Sequence, residues 1–115
     1  MSYITIHPSG LLDSSSANQM RCQVSDAIDE GAETILLDFQ DVTFMNSSAI
    51  GSLVAILKSV NSQGKSLSIC SINPQITMIF ELTKMEDIFV IHKDQKAFEE
   101  TIQSTNAGEK KLSYS

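Results

Sequence analysis

Two serines stand out as groups that could do chemistry. Ser47 and Ser48 lie between an asparagine and an apolar periodic stretch, in Phe44-Met45-Asn46-Ser47-Ser48-Ala49-Ile50-Gly51. This pattern marks a helix start, because short polar side chains accept hydrogen bonds from the free N–H groups of a first turn. Two roles fit the placement. One is helix capping alone. The other is that of a regulatory phosphoserine, since a helix N-terminus offers unpaired N–H groups and positive potential that hold an added phosphate without unfolding. A phosphate brings about −1.5 to −2 charges and three acceptor oxygens. The fold tolerates that change, whereas a partner surface fitted around the hydroxyl does not.

Other reactive groups lack the company that chemistry needs. The two histidines, His7 and His92, have no Cys or His beside them at metal-ligand spacing and read as surface residues. Glu86-Asp87 and Glu99-Glu100 are neighbours in sequence, so on a helix their carboxylates point in different directions. There is no Gly-rich phosphate loop and no G-x-S-x-G elbow. Cys22 and Cys70 are too few for a disulfide framework and read as free thiols. No catalytic residue, metal ligand or cofactor is therefore expected, and the chain reads as a binding protein, not an enzyme.

The elements that position the serines follow from periodicity. Tyr3 to Ile6 alternates as a half-buried strand does, His7-Pro8-Ser9-Gly10 is a turn, and Leu11-Leu12 is a second short strand. Asp13 and the serines after it open a helix whose apolar stripe is Ala17, Met20, Val24, Ala27 and Ile28, with Gly31 as its stop. Thr34 to Phe39 is apolar without alternation, as in a central strand covered on both faces. Residues 41–44 read as a connector into the second helix, whose inward stripe is Ile50, Leu53, Val54, Leu57 and Val60. Leu67 to Ile72 is a further strand. Asn73-Pro74 opens a third helix, with Ile76, Ile79 and Phe80 facing inward. Residues 88–91 form the last strand, and Asp94 caps a final helix carrying Ala97, Phe98 and Ile102. The predicted order is β-β-α-β-α-β-α-β-α, an α/β fold with a mainly parallel sheet and helical crossovers. One domain, residues 1–102, is expected, followed by a flexible tail over 103–115.

Composition narrows the partners. A chain of 115 residues with 42% hydrophobic and 19% charged residues has the balance of one globular domain. Its net charge of −6 disfavours direct contact with nucleic acid and suits a basic surface on a protein partner. No apolar run approaches the ~20 residues of a membrane helix, so membrane insertion is not expected. The first residues lack the basic and apolar blocks of a signal peptide. Together these features suggest a cytoplasmic protein.

Leu36-Leu37-Asp38-Phe39 followed by Val42-Thr43-Phe44-Met45-Asn46-Ser47-Ser48-Ala49-Ile50-Gly51 resembles the signature of the STAS domain, the fold of anti-sigma factor antagonists and sulfate transporter tails. Ser71-Ile72-Asn73-Pro74, Phe80-Glu81-Leu82-Thr83 and the early Gly10-Leu11-Leu12-Asp13 are similar to further family segments, in order, over residues 3–102. The resemblance implies a partner-switching protein in signalling and transcription regulation. Such an antagonist, unphosphorylated, binds an anti-sigma factor that is also a serine kinase of the histidine-kinase-like ATPase fold. Phosphorylation on a serine releases it, and a metal-dependent serine phosphatase resets the switch. The match implies Ser47 as phosphoacceptor, with Ser48 as second choice, and Asn46, Ser47, Ser48, Ala49, Ser52 and Ile56 as the partner-binding residues. Asn46 departs from the Asp that many members carry. It keeps the capping geometry and loses a charge, which would either slow the kinase or ease repulsion against a new phosphate. Two other roles stay open: an unphosphorylated scaffold subunit of a lipid-transport ATPase, and a nucleotide-binding sensor.

Overall fold

The computed structural model describes residues 2–108, with side chains through residue 102. Among these residues the elements run β1 (Tyr3–Ile6), β2 (Ser9–Leu12), α1 (Ser14–Asp29), β3 (Thr34–Asp38), β4 (Asp41–Met45), α2 (Ser47–Ser62), β5 (Ser66–Cys70), α3 (Pro74–Leu82), a 3-10 helix at Met85–Asp87, β6 (Val90–His92) and α4 (Gln95–Gly108). The four-stranded sheet has the order β1-β3-β5-β6, and all its pairs are parallel. This is the α/β architecture with helical crossovers that the sequence predicts.

The largest difference lies at residues 41–44. They form most of a strand, β4, where a connector is expected, and β4 pairs in parallel with β2 as a separate ribbon. The chain kinks at His7-Pro8 after β1 and at Phe39-Gln40 after β3, then continues extended in both places. A bulge hides this strand in the sequence. Gly10 pairs with Val42 and Leu11 with Phe44, so Thr43 is an extra residue that breaks the alternation. Gly10 sits at the irregularity with φ +71, a backbone that side-chain-bearing residues rarely adopt. Strand ends also shift. β2 begins at Ser9, and β5 ends at Cys70. β6 starts at Val90 because the N–H groups of Ile88 and Phe89 bond back to the Met85 carbonyl and stay out of the ladder.

The sheet has two unlike faces. Alternate residues Ile6, Ile35, Leu37 and Ile69 are buried in the main core with the apolar stripes of α1 and α2 and with Ile76 and Phe80 of α3. Leu36 and Cys70 point the other way and meet Phe98 of α4, with Tyr3 and Ile102 packed around them. β3 is therefore buried along its whole length, which explains its unbroken apolar run.

α1 opens on a capping box. Asp13 Oδ1 accepts the Ser16 N–H at 3.0 Å, and Ser16 Oγ accepts the Asp13 N–H at 2.9 Å. The Ser16 N–H, and the Ser16 hydroxyl 3.1 Å from Oδ1, hold the Asp13 carboxyl below its ordinary pKa. α4 is latched by Tyr3, which meets Phe98 edge-on at 5.0 Å and donates its hydroxyl to Glu99 Oε2 at 2.5 Å. The helix continues through Gly108, so residues 103–108, read from sequence as the start of a tail, extend α4. The rest of that expected tail, 109–115, lies outside the described residues.

Truncation at two leucines should separate core from surface. Leu37→Ala, at a fully buried position, should cost about 2–5 kcal/mol in urea unfolding. Leu82→Ala, at a residue 77% exposed, should stay within about 0.5 kcal/mol. Equal losses would contradict this core assignment.

Candidate functional site

Ser47 owes its place to the end of the ribbon. Met45 is buried and fixes the last residue of β4 in the core. The next backbone N–H, of Asn46, bonds the Leu12 carbonyl at 3.1 Å and closes the β2–β4 seam. Asn46 is still extended (φ −88, ψ 176), and its Oδ1 accepts the Ala49 N–H at 3.0 Å. The capping residue is therefore Asn46, and the two serines occupy the first two positions of α2. Both are exposed, and no hydrogen bond engages either hydroxyl among the described residues. Ser47 thus meets the first physical requirement of a phosphoacceptor, which is access.

The ribbon is held from both sides. Asn73 accepts the Ile76 N–H at 2.8 Å to cap α3, while its Nδ2 donates to the Val42 carbonyl at 3.0 Å. One side chain so ties α3 to β4 beside the bulge. At the kinks, the buried Asp38 carboxylate accepts the Gln40 N–H at 3.0 Å through Oδ1, and its Oδ2 lies 3.5 Å from His7 Nδ1. This contact spans the β1–β2 and β3–β4 junctions, and it is an ion pair only when His7 is protonated.

The structure brings together only part of the predicted partner surface. Asn46, Ser47 and Ser48 lie at the tip as expected, and Ser52 is half-buried on the following turn. Ala49 and Ile56 are each only 1% exposed and belong to the chain's own core. They sit four and three residues from the buried Leu53, so they share its side of the helix. The apolar stripe of α2 is wider than the five residues assigned from periodicity, and it takes in both. The face left open is made of small or charged residues: Gly51, Ala55, Lys58 and Ser59.

Two residues that the sequence reading missed complete the tip. Leu11 and Phe44 are paired across the ribbon and about half exposed, while their neighbours Leu12 and Met45 are buried. Two large apolar side chains thus lie side by side on the outer face, on the strand that leads to Ser47. The signal was present in Leu11-Leu12 and Phe44-Met45. Once both segments are strands, alternation must send one of each pair outward.

The remaining candidates for chemistry stay apart. His7 is exposed, whereas His92 is half-buried, edge-on to Phe98 at 5.4 Å, and burial lowers its pKa. Cys22 and Cys70 are both free. Cys22 is exposed, while burial pushes the Cys70 thiol up to about 11, so it stays protonated and inert near neutrality. Among the described residues no group of His, Cys, Asp or Glu could hold a metal ion, and no helix is long and apolar enough to cross a membrane. Two clefts among the described residues measure ≈ 100 Å³, between α1 and α2 at Arg21, and ≈ 160 Å³, beside His7 and Gln19. Both fall below the roughly 300–1,000 Å³ of ordinary small-molecule sites.

Comparison with known proteins gives a consistent picture. A family model described as the STAS domain matches residues 2–104. The anti-sigma F factor antagonist of Paenibacillus polymyxa is 26% identical over 93 residues, which is 80% of this chain and 80% of that protein. The anti-sigma factor antagonist SpoIIAA in its unphosphorylated form aligns with a TM-score of 0.71 at 21% identity, over 89% of this chain and 90% of that chain. The phosphorylated form of SpoIIAA from Bacillus gives 0.64 at 22% identity, over 87% and 91%. The STAS domain of a SulP transporter from Vibrio cholerae gives 0.74 at 16% identity, over 92% and 85%. At these identities the likeness to the solved structures is one of fold.

Two measurements test the local geometry. Asn46→Ala should cost about 1 kcal/mol in urea unfolding, whereas Asn46→Asp, which keeps the cap, should change stability by less than about 0.5 kcal/mol. A loss of equal size in both would show that the cap is not what the side chain supplies. A thiol reagent at pH 8 should label Cys22 in the native protein and leave Cys70 unlabelled until denaturant is added. Rapid native labelling of Cys70 would refute its burial.

Proposed function

The chain belongs to the STAS domain family, and from that membership we propose that it is an anti-sigma factor antagonist acting by partner switching, a binding protein rather than a catalyst. The observation that carries this reading is the exposed Ser47 hydroxyl at the first position of α2, at the end of a ribbon that also presents Leu11 and Phe44. Its partner is an anti-sigma factor that is also a serine kinase of the histidine-kinase-like ATPase fold. Unphosphorylated, the tip docks on that partner through the serines and the apolar pair. Transfer of the ATP γ-phosphoryl group to Ser47 Oγ places a dianionic group at the contact. A metal-dependent serine phosphatase then restores the hydroxyl, and the cycle runs in the cytoplasm.

The physics supports release without unfolding. The N–H groups of Ser47 and Ser48 belong to the first turn and have no intrahelical acceptor, and negative charge near a helix N-terminus is worth about 0.3–1 kcal/mol to the helix. The same charge pressed against a partner must be desolvated. An unpaired buried charge costs several kcal/mol, or more than a hundredfold in affinity. The modification is therefore mild for the fold and severe for the interface.

The test uses the cognate anti-sigma factor kinase and ATP, with intact-mass and peptide mass spectrometry. One phosphate should appear on the wild type and on Ser48→Ala, and none on Ser47→Ala. In a binding assay Ser47→Asp should weaken the complex at least tenfold while circular dichroism stays native, and Phe44→Ser should weaken it without any phosphate. Incorporation unaffected by Ser47→Ala, with the kinase active on a control antagonist, would end this assignment.

A further inference from the structure

Beyond the Ser47 tip, we propose a second docking surface, formed by the outer side of α3 and the 3-10 helix after it, that receives an amphipathic protein segment carrying basic residues. Of the six large hydrophobic residues exposed among those described, three fall in one short stretch, Met78, Leu82 and Ile88. Met78 and Leu82 stand one turn apart on the same side of α3, at 54% and 77% exposure. α3 already has an inward side in Ile76 and Phe80, so these two are surplus to the core. Scattered exposed apolar residues need no explanation, but two of them one turn apart on one helix, with a third on the turn that packs against that helix, mark an interaction surface.

The backbone supports the same surface. α3 ends at Leu82 with Thr83 as its C-cap, and Lys84 adopts φ +64, a left-handed conformation unusual for a residue other than glycine. That residue turns the chain directly into the 3-10 helix, which packs against α3. The Ile88 N–H then bonds the Met85 carbonyl at 3.1 Å, with Met85 buried below. Ile88 is thereby held outward at the end of a short, anchored turn, half exposed.

Charge selects the occupant. Between residues 78 and 90 the acids are Glu81, Glu86 and Asp87, all exposed, against one cation, Lys84. An apolar strip with an acidic border complements a helix or extended segment that sets leucine-like anchors among lysines or arginines. A second copy of this chain would bring the same acids against themselves, at a net charge of −6 each. An anionic membrane surface is disfavoured on the same ground.

The test needs no kinase and so stands or falls apart from the switching role. The probe is a leucine–lysine peptide of roughly four helical turns, titrated into the full-length 15N-labelled chain at physiological salt, beside a leucine–glutamate peptide of the same pattern. The lysine peptide should shift amides of residues 75–90 selectively, the glutamate peptide should not, and Met78→Ser/Leu82→Ser should weaken binding at least tenfold with the fold unchanged. Shifts spread over the acidic surface, or binding indifferent to the double variant, would overturn the proposal. So would a concentration-dependent dimer, or pelleting with phosphatidylglycerol vesicles, that the double variant abolishes. In those cases the occupant is a second copy or a lipid surface.

Discussion

One seam sets the geometry of the Ser47 tip, the parallel pairing of β2 with β4 that ends in the bond from the Asn46 N–H to the Leu12 carbonyl. A two-stranded ribbon alone is marginal in water. Here it persists because its inner side, Leu12, Val42 and Met45, is buried in the main core. Asn73 also satisfies the Val42 carbonyl that the bulge leaves at the edge. Asn46 closes the ladder with its backbone and starts α2 with its side chain. The direction of α2, the exposure of Ser47 and the outward turn of Phe44 all follow from that residue pair. Loss of the seam would leave the helix folded but aimed by nothing.

The two sheet faces divide the packing between them. Ile35, Leu37 and Ile69 seal one side against three helices, while the opposite side relies on α4 through Phe98 and the Tyr3–Glu99 contact. The ribbon adds only its inner side chains, Leu12, Val42 and Met45, to the first of these layers. Its outer side chains, Leu11 and Phe44, are spared from packing and are available for recognition. Hydrophobic burial thus stabilises the scaffold in one place and leaves apolar area exposed in another.

The sequence revealed most of this through periodicity and caps. The unbroken Thr34-Ile35-Leu36-Leu37 run marked the central strand, and Asn73-Pro74 and Asn46-Ser47 marked two helix starts that the structure places at those residues. It failed where a tertiary feature broke the period. The Thr43 bulge made β4 look like a loop, and without β4 the outward placement of Leu11 and Phe44 could not be derived. The assignment of Ala49 and Ile56 to a docking face failed for a different reason. α1 packs against α2 and widens the stripe that α2 must bury. Which neighbour covers a helix is a non-local fact, and one helix's own periodicity does not contain it.

Asn46 bears on the proposed switch through the charge it lacks. Its capping bond is made by a carbonyl oxygen, which a carboxylate oxygen would replace with the same reach. The difference is one negative charge beside the hydroxyl. Under the proposed switch, a phosphate on Ser47 would meet the positive end of α2 without a neighbouring carboxylate, and the modified state would carry less internal repulsion. The unmodified state correspondingly presents a neutral tip, Asn46-Ser47-Ser48, next to two apolar side chains. In that reading the two states would differ by a change from no charge to nearly two. A carboxylate already in place would have dulled that contrast, since the partner would have to accommodate negative charge in either state.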